Sequence, residues 1–129
     1  MPQQGCYALY RLRLTSVQTY IAMEKLLSTG KVRAIGVSNF SKSEMERLLA
    51  NTSIVPAVHQ MECHPWLQQH DFAAWHREKG IHVTHYSPFG NQNQLYGEKG
   101  SIGKLIDEPI LAEIGKQYEK SAPQVALGG

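Results

Sequence analysis

The 129 residues suffice for one ordinary domain built on one hydrophobic core. A formal net charge of +2, 42% hydrophobic residues and 19% charged residues fit a soluble globular chain and leave no basic patch for nucleic acid. Two cysteines, Cys6 and Cys63, are too few for a disulfide framework, and no apolar run reaches signal-peptide or membrane-spanning length, so a cytoplasmic setting is expected.

In chain order, Val17, Tyr20, Ile21 and Leu27 share one face of a first helix, and Gly30 stands where its C-terminal stop belongs. The segment "KVRAIGVSNF" is rich in β-branched residues and predicts a strand from about Val32 to Ser38. Ser41 as N-cap and Glu44 three residues later form a capping box, opening a helix with Met45, Leu48 and Leu49 on one face. In "IVPAVHQME" Pro56 confines the second ladder to the residues that follow it. A helix carrying Phe72 and Trp75 runs to Gly80, and "IHVTHYS" is a third strand. A polar loop from Gly90 leads to a helix with Asp107 as N-cap, Pro109 in its first turn, and Ile110, Leu111, Ile114 and Tyr118 as its buried face. Ser121 and Pro123 start a last helix that ends at Gly128 and Gly129.

Alternating strands and helices predict an α/β fold with a parallel sheet, covered by helices or closed into a barrel. Three strands are too few to close a barrel, and as an open sheet they leave both edges unpaired.

Ligands of parallel α/β proteins bind at the carboxyl ends of the strands. Ser38 and Asn39 stand at the first such end, where they could hold a carboxamide or merely cap and turn the chain. Gln60 lies near the end of the second strand, sharing a face with Glu62 while His59, Met61 and Cys63 take the other. Its amide could serve a planar ligand or fill a barrel interior. Tyr86 ends the third strand, as a stacking surface or as a core residue with its hydroxyl at the surface. Ser87 and Gly90 then open a loop whose backbone amides suit a pyrophosphate.

The stretch "VHQMECHPW" contains zinc-binding residue types, but alternation splits His59 and Cys63 from Glu62, and neither HExxH nor a CxxC pair is present. No metal site is expected. His82 reads as a strand residue and His76 as a helix-surface one. No GxSxG elbow, GxGxxG fingerprint or P-loop occurs.

The segments "AMEKLLSTGKVRAIGVSNFSKSEMERLL", "VHQMECHPWLQ", "GIHVTHYSPFG" and "PILAEIGKQYEKSAPQVAL" resemble successive parts of aldo-keto reductases, from about Val17 to Leu127. "GVSNF", "Q-x-E-C-H-P" and "YSP-x-G" are specific signatures in the family's order. The resemblance implies part of a (β/α)8 barrel, in which a carbonyl is reduced by hydride from NADPH. It would place Ser38, Asn39 and Gln60 on the nicotinamide carboxamide, Tyr86 on the ring, and Ser87, Phe89 and Asn91 along the pyrophosphate. His59 is commonly asparagine in the family. The loop from Gly90 to Asp107 would resemble the segment that closes over the cofactor.

The family's catalytic Tyr, Asp, Lys and His lie on its first four strands, ahead of the matched region, and no residue here corresponds to them. The "IPKS" segment that reads the cofactor's 2'-phosphate has no counterpart either. Residues 1–15 are expected to be an unrelated leader and 16–129 a partial reductase domain. Two other expectations stand beside a reductase segment of low activity: a non-catalytic module that pairs through its exposed strand edges, with another copy or another chain, and a chain that does not fold stably alone.

Overall fold

The computed structural model describes residues 15–90 and 104–128. Helix α1 spans Ser16–Leu27, strand β1 Gly36–Ser38, helix α2 Lys42–Asn51, strand β2 Val58–Glu62, helix α3 His70–Glu78 and strand β3 His82–Tyr86. A 3-10 turn at Leu105–Asp107 precedes helices α4, Pro109–Tyr118, and α5, Ala122–Gly128. The three strands form one parallel sheet in the order β1-β2-β3. The described fold is therefore α/β, with flanking helices, consistent with part of a (β/α)8 barrel.

Local chemistry sets the helix starts. Thr15 and Gln18 cap α1 reciprocally, and Ser41 and Glu44 do the same for α2, the box expected from the sequence. Gly30 and Gly80 take left-handed φ values of 71° where α1 and α3 give way to the strands.

Four expectations need correction. β1 has three residues rather than the seven from Val32 to Ser38. Among the described residues its neighbour β2 begins at Val58, after Pro56, so the pairing ahead of Gly36 is limited to the Ile35 carbonyl, which accepts from Ala57 N–H at 2.9 Å. Asp107 closes the 3-10 turn, and Glu108 is the residue before Pro109 at the head of α4. Ile110 and Tyr118 are 56% and 67% exposed, because α4 meets α5 through Leu111 and Gly115 instead. A side chain at Gly115 would overlap the Lys120 carbonyl, so this approach fixes which face turns inward. Ile21, expected in the apolar face of α1, is 39% exposed, while Tyr20 is buried.

Two apolar clusters result. Tyr20 of α1, Ile35 just ahead of β1 and Leu48 of α2 come together, with Val37 and Phe40 packed against them. Leu105, Leu111 and Ala126 hold the C-terminal helices, and Phe89 packs there from the exit of β3. Glu24 ties α1 to the chain ahead of β2 by accepting the backbone N–H groups of Ser53 and Ile54 at 2.9 and 2.8 Å. The leader expected over residues 1–15 falls almost wholly outside the described residues, as does most of the loop after Gly90.

A candidate ligand site at the strand ends

Register decides which side chains gather at the strand ends. Ser38, Gln60 and Thr84 are aligned across the three strands, and Glu62 is aligned with Tyr86 one pleat further on. These residues share a face, because alternate residues of parallel strands point the same way. On β2 the alternation is plain: His59 and Met61 are buried beneath the helices, while Gln60 is exposed on the opposite face. β1 approaches β2 closely through Gly36, where any side chain would overlap the Val58 carbonyl oxygen.

The turn from β1 into α2 is fixed at each backbone N–H. Asn39 has a left-handed φ of 58° and donates its N–H to the Gln60 carbonyl at 2.9 Å. Phe40 N–H donates to His59 Nε2 at 3.0 Å, and Ser41 N–H donates to Glu44 Oε2 at 2.8 Å. The Ser41 hydroxyl and N–H together hold the Glu44 carboxyl below its ordinary pKa. From β3, the Tyr86 hydroxyl donates to Asn39 Oδ1 at 2.7 Å. That bond joins the ends of the two outer strands across the sheet. Ser87 also takes a left-handed φ, 50°, and its carbonyl accepts from Gly90 N–H at 2.9 Å.

An open cleft of about 370 Å³ lies at this end of the sheet, with Asn39, Phe40, Lys42, Glu62, Gln69 and Tyr86 among its walls. The Gln69 amide donates to the Glu62 carbonyl at 3.1 Å. The Glu62 carboxylate lies 3.4 Å from His64 Nε2. The cleft thus combines two amides, a carboxylate, an ammonium and three aromatic rings, the third being that of Phe72.

His76 corrects the sequence reading most sharply. Expected on the helix surface, it is fully buried, and so is His59. His59 Nδ1 and His76 Nε2 are 2.7 Å apart, and His76 Nδ1 is 2.6 Å from the Phe72 carbonyl oxygen. The termini of this chain assign its protons. Phe40 N–H can only donate, so His59 Nε2 accepts and the His59 proton sits on Nδ1. It is donated to His76 Nε2, and His76 Nδ1–H donates to Phe72. Two neutral rings carry two protons, and each ring nitrogen is satisfied. Burial, reinforced by His76, lowers the pKa of His59 from 6.5 to about 4.

Of the residues expected at the site, Asn39 and Tyr86 are in direct contact, and Ser38 and Gln60 stand side by side on the same sheet face. Ser87 follows at the end of β3. The Phe89 ring packs on the C-terminal cluster, which leaves its backbone for any polar contact. Asn91 lies outside the described residues. Sequence reasoning did not assign Lys42, Glu62 or Gln69 to the site, nor His76 to the core behind it. Glu62 was legible as the alternate neighbour of Gln60, whereas nothing local marks Gln69 or the burial of His76. Among the described residues, no group of three or more His, Cys, Asp or Glu side chains gathers as a metal would require, and Cys63 is a half-buried free thiol.

A parallel α/β unit with polar and aromatic groups at consecutive strand ends has the architecture in which ligands are generally taken up at the carboxyl edge of the sheet. The chain belongs to the aldo/keto reductase family, whose sequence profile matches residues 13–127. An uncharacterized oxidoreductase of Schizosaccharomyces pombe is 54% identical to it over 99 residues, 77% of this chain and 30% of that protein. Aldo-keto reductase family 4 member C11 of Arabidopsis thaliana is 40% identical over 109 residues, 84% of this chain and 33% of its own. Aldo-keto reductase family 1 member A1 of Sus scrofa is 37% identical over the same length and the same shares. The chain spans about a third of the length of these relatives.

Proposed function

We propose that these residues form the nicotinamide-binding part of an NADPH-dependent carbonyl reductase. The observation that carries this reading is the alignment of Ser38 and Gln60 at neighbouring strand ends, beside the Asn39–Tyr86 contact. A hydroxyl and a primary amide on one exposed face complement a flat carboxamide, which both donates and accepts. The half-buried Tyr86 ring, held by its hydroxyl, offers a flat surface to the heterocycle. These groups fit a nicotinamide, so Ser38, Asn39 and Gln60 are assigned to its carboxamide and Tyr86 to its ring.

Ser87, Phe89 and Asn91 are assigned to the pyrophosphate. When bound, the cofactor supplies hydride to a small-molecule carbonyl compound. The residues described here bind and orient it. The Asn39 oxygen is already engaged by Tyr86, so the asparagine serves a ligand through its amide nitrogen and its fixed backbone.

Proton delivery is a separate requirement, because reduction of a carbonyl needs a positioned acid. Tyr86 is committed to Asn39 and to the ring face, and no residue in these segments matches the family's Tyr, Asp, Lys and His set. The 129 residues assayed alone are therefore expected to bind NADPH while reducing a reactive aldehyde at a negligible rate. Steady-state assay of the purified chain with NADPH and a reactive aldehyde tests this, and turnover at ordinary enzyme rates would refute it.

A second reading is a non-catalytic module. The outer edges of β1 and β3 carry no strand partner among the described residues, and such edges pair readily with another chain or a second copy. Concentration-dependent dimerisation with no response to NADPH would favour it. No helix among the described residues is long and apolar enough to cross a membrane, and a cytosolic location is part of this proposal.

A further inference from the structure

The buried histidine pair lies behind the strand ends, outside the exposed ligand face. Its first link grips the backbone N–H of Phe40, the residue after Asn39, and its last link ends on the Phe72 carbonyl inside α3. β2 supplies His59, α3 supplies His76, and the β1–α2 turn supplies the donor, so three elements meet in one chain of hydrogen bonds. Neighbouring rings complete the enclosure. Phe40 and Phe72 stand edge-on to His59, and Phe72 and Trp75 stand edge-on to His76.

We propose that the His59–His76 pair is a positioning device: its two-proton chain locks the Asn39–Phe40 turn and thereby sets the groups that face the ligand. Direction is the essence of it. Phe40 offers a donor and Phe72 an acceptor, and only one arrangement of two protons joins them through two rings. A third proton would set two N–H groups against each other at one link, either between the rings or against Phe40. The turn most needs such a lock at Asn39, whose left-handed backbone is costly for a residue with a side chain. This inference takes the identity of the ligand from the reading above, whereas the lock on the turn is measurable without any ligand.

The surroundings make each ring the other's principal titrating neighbour. Lys42 of α2 and Lys79, the residue after α3, lie over the Trp75 ring, at 6.0 and 5.9 Å from its centroid. His82 and His85 of β3 are exposed and share no hydrogen bond with either buried ring among the described residues. Acidification is therefore expected to act on the pair itself, and to loosen the turn as it does so.

Two measurements on the full chain test the device. In ¹⁵N-labelled protein near neutral pH, long-range proton–nitrogen correlation should place the His59 and His76 protons both on Nδ1. The Phe40 amide should be protected from hydrogen exchange, and lose that protection as pH falls through about 4, where His59 takes up a proton. Replacement of His76 tests the coupling at a distance from the ligand face. His76→Leu strands the His59 donor and should weaken NADPH binding and Phe40 protection about tenfold, whereas His76→Gln restores an acceptor and should recover most of both.

A His59 proton on Nε2, or equal behaviour of the Leu and Gln variants, would overturn the proposal. If His76→Leu does not fold, the tautomers and the Phe40 exchange of the unaltered chain decide it. Failure of every form to bind NADPH would instead refute the assignment of the ligand, with the exchange data still deciding the lock.

Discussion

Asn39 concentrates the chemistry of the turn in one residue. Its left-handed backbone, its N–H to Gln60 and its side-chain oxygen to Tyr86 make it costly to replace in three separate ways. Asn39→Ala should destabilise the chain by about 1–2 kcal/mol, because alanine resists that conformation and cannot receive the tyrosine. Asn39→Gly keeps the conformation and should cost less, so comparing their urea midpoints separates backbone strain from the lost bond. His59 adds a pH dependence of known sign. Its pKa falls from 6.5 to about 4 on folding, so the unfolded chain binds the proton more readily. The neutral ring's contribution is complete above pH 6.5, erodes as pH drops and is gone below the folded value, a loss of about 3 kcal/mol. Denaturation across that range should show the slope, and His59→Asn should flatten it. The facing of His59 was legible from strand alternation. The burial of His76 was not, because a histidine followed directly by Arg77, Glu78 and Lys79 reads as solvated until β2 is laid beneath it.

At the scale of elements, the helices carry the stability that the short strands cannot. Leu48 is fully buried between α1 and β1, and Leu48→Ala should cost about 2–5 kcal/mol, read as a fall in thermal midpoint. Gly36→Val should be at least as harmful to the sheet, since the new side chain would occupy the place of the Val58 carbonyl. Circular dichroism of that variant should show a broadened or absent cooperative melt. The capping box of α2, the glycines after α1 and α3 and the proline limit on β2 were all written locally, and those boundaries followed from sequence. The length of β1 and the inward face of α4 were not. Each depends on what lies opposite: a strand that begins only after Pro56, and a backbone approach at Gly115 that selects Leu111 over Ile110.

For the molecule as a whole, binding and turnover are expected to separate. The family was legible in the sequence because "GVSNF", "QMECHP" and "YSPFG" each mark the end of a strand, and the sheet brings those three ends together. The cleft walls supplied by Lys42 and Gln69 were less legible, since they depend on how α2 and the segment before α3 fold over the strand ends. The most direct measurement is a calorimetric titration of the purified chain with NADPH, repeated on Gln60→Ala. Saturable binding that weakens about tenfold in the variant is the predicted result. No binding, or binding indifferent to Gln60, would contradict a nicotinamide site at these strand ends.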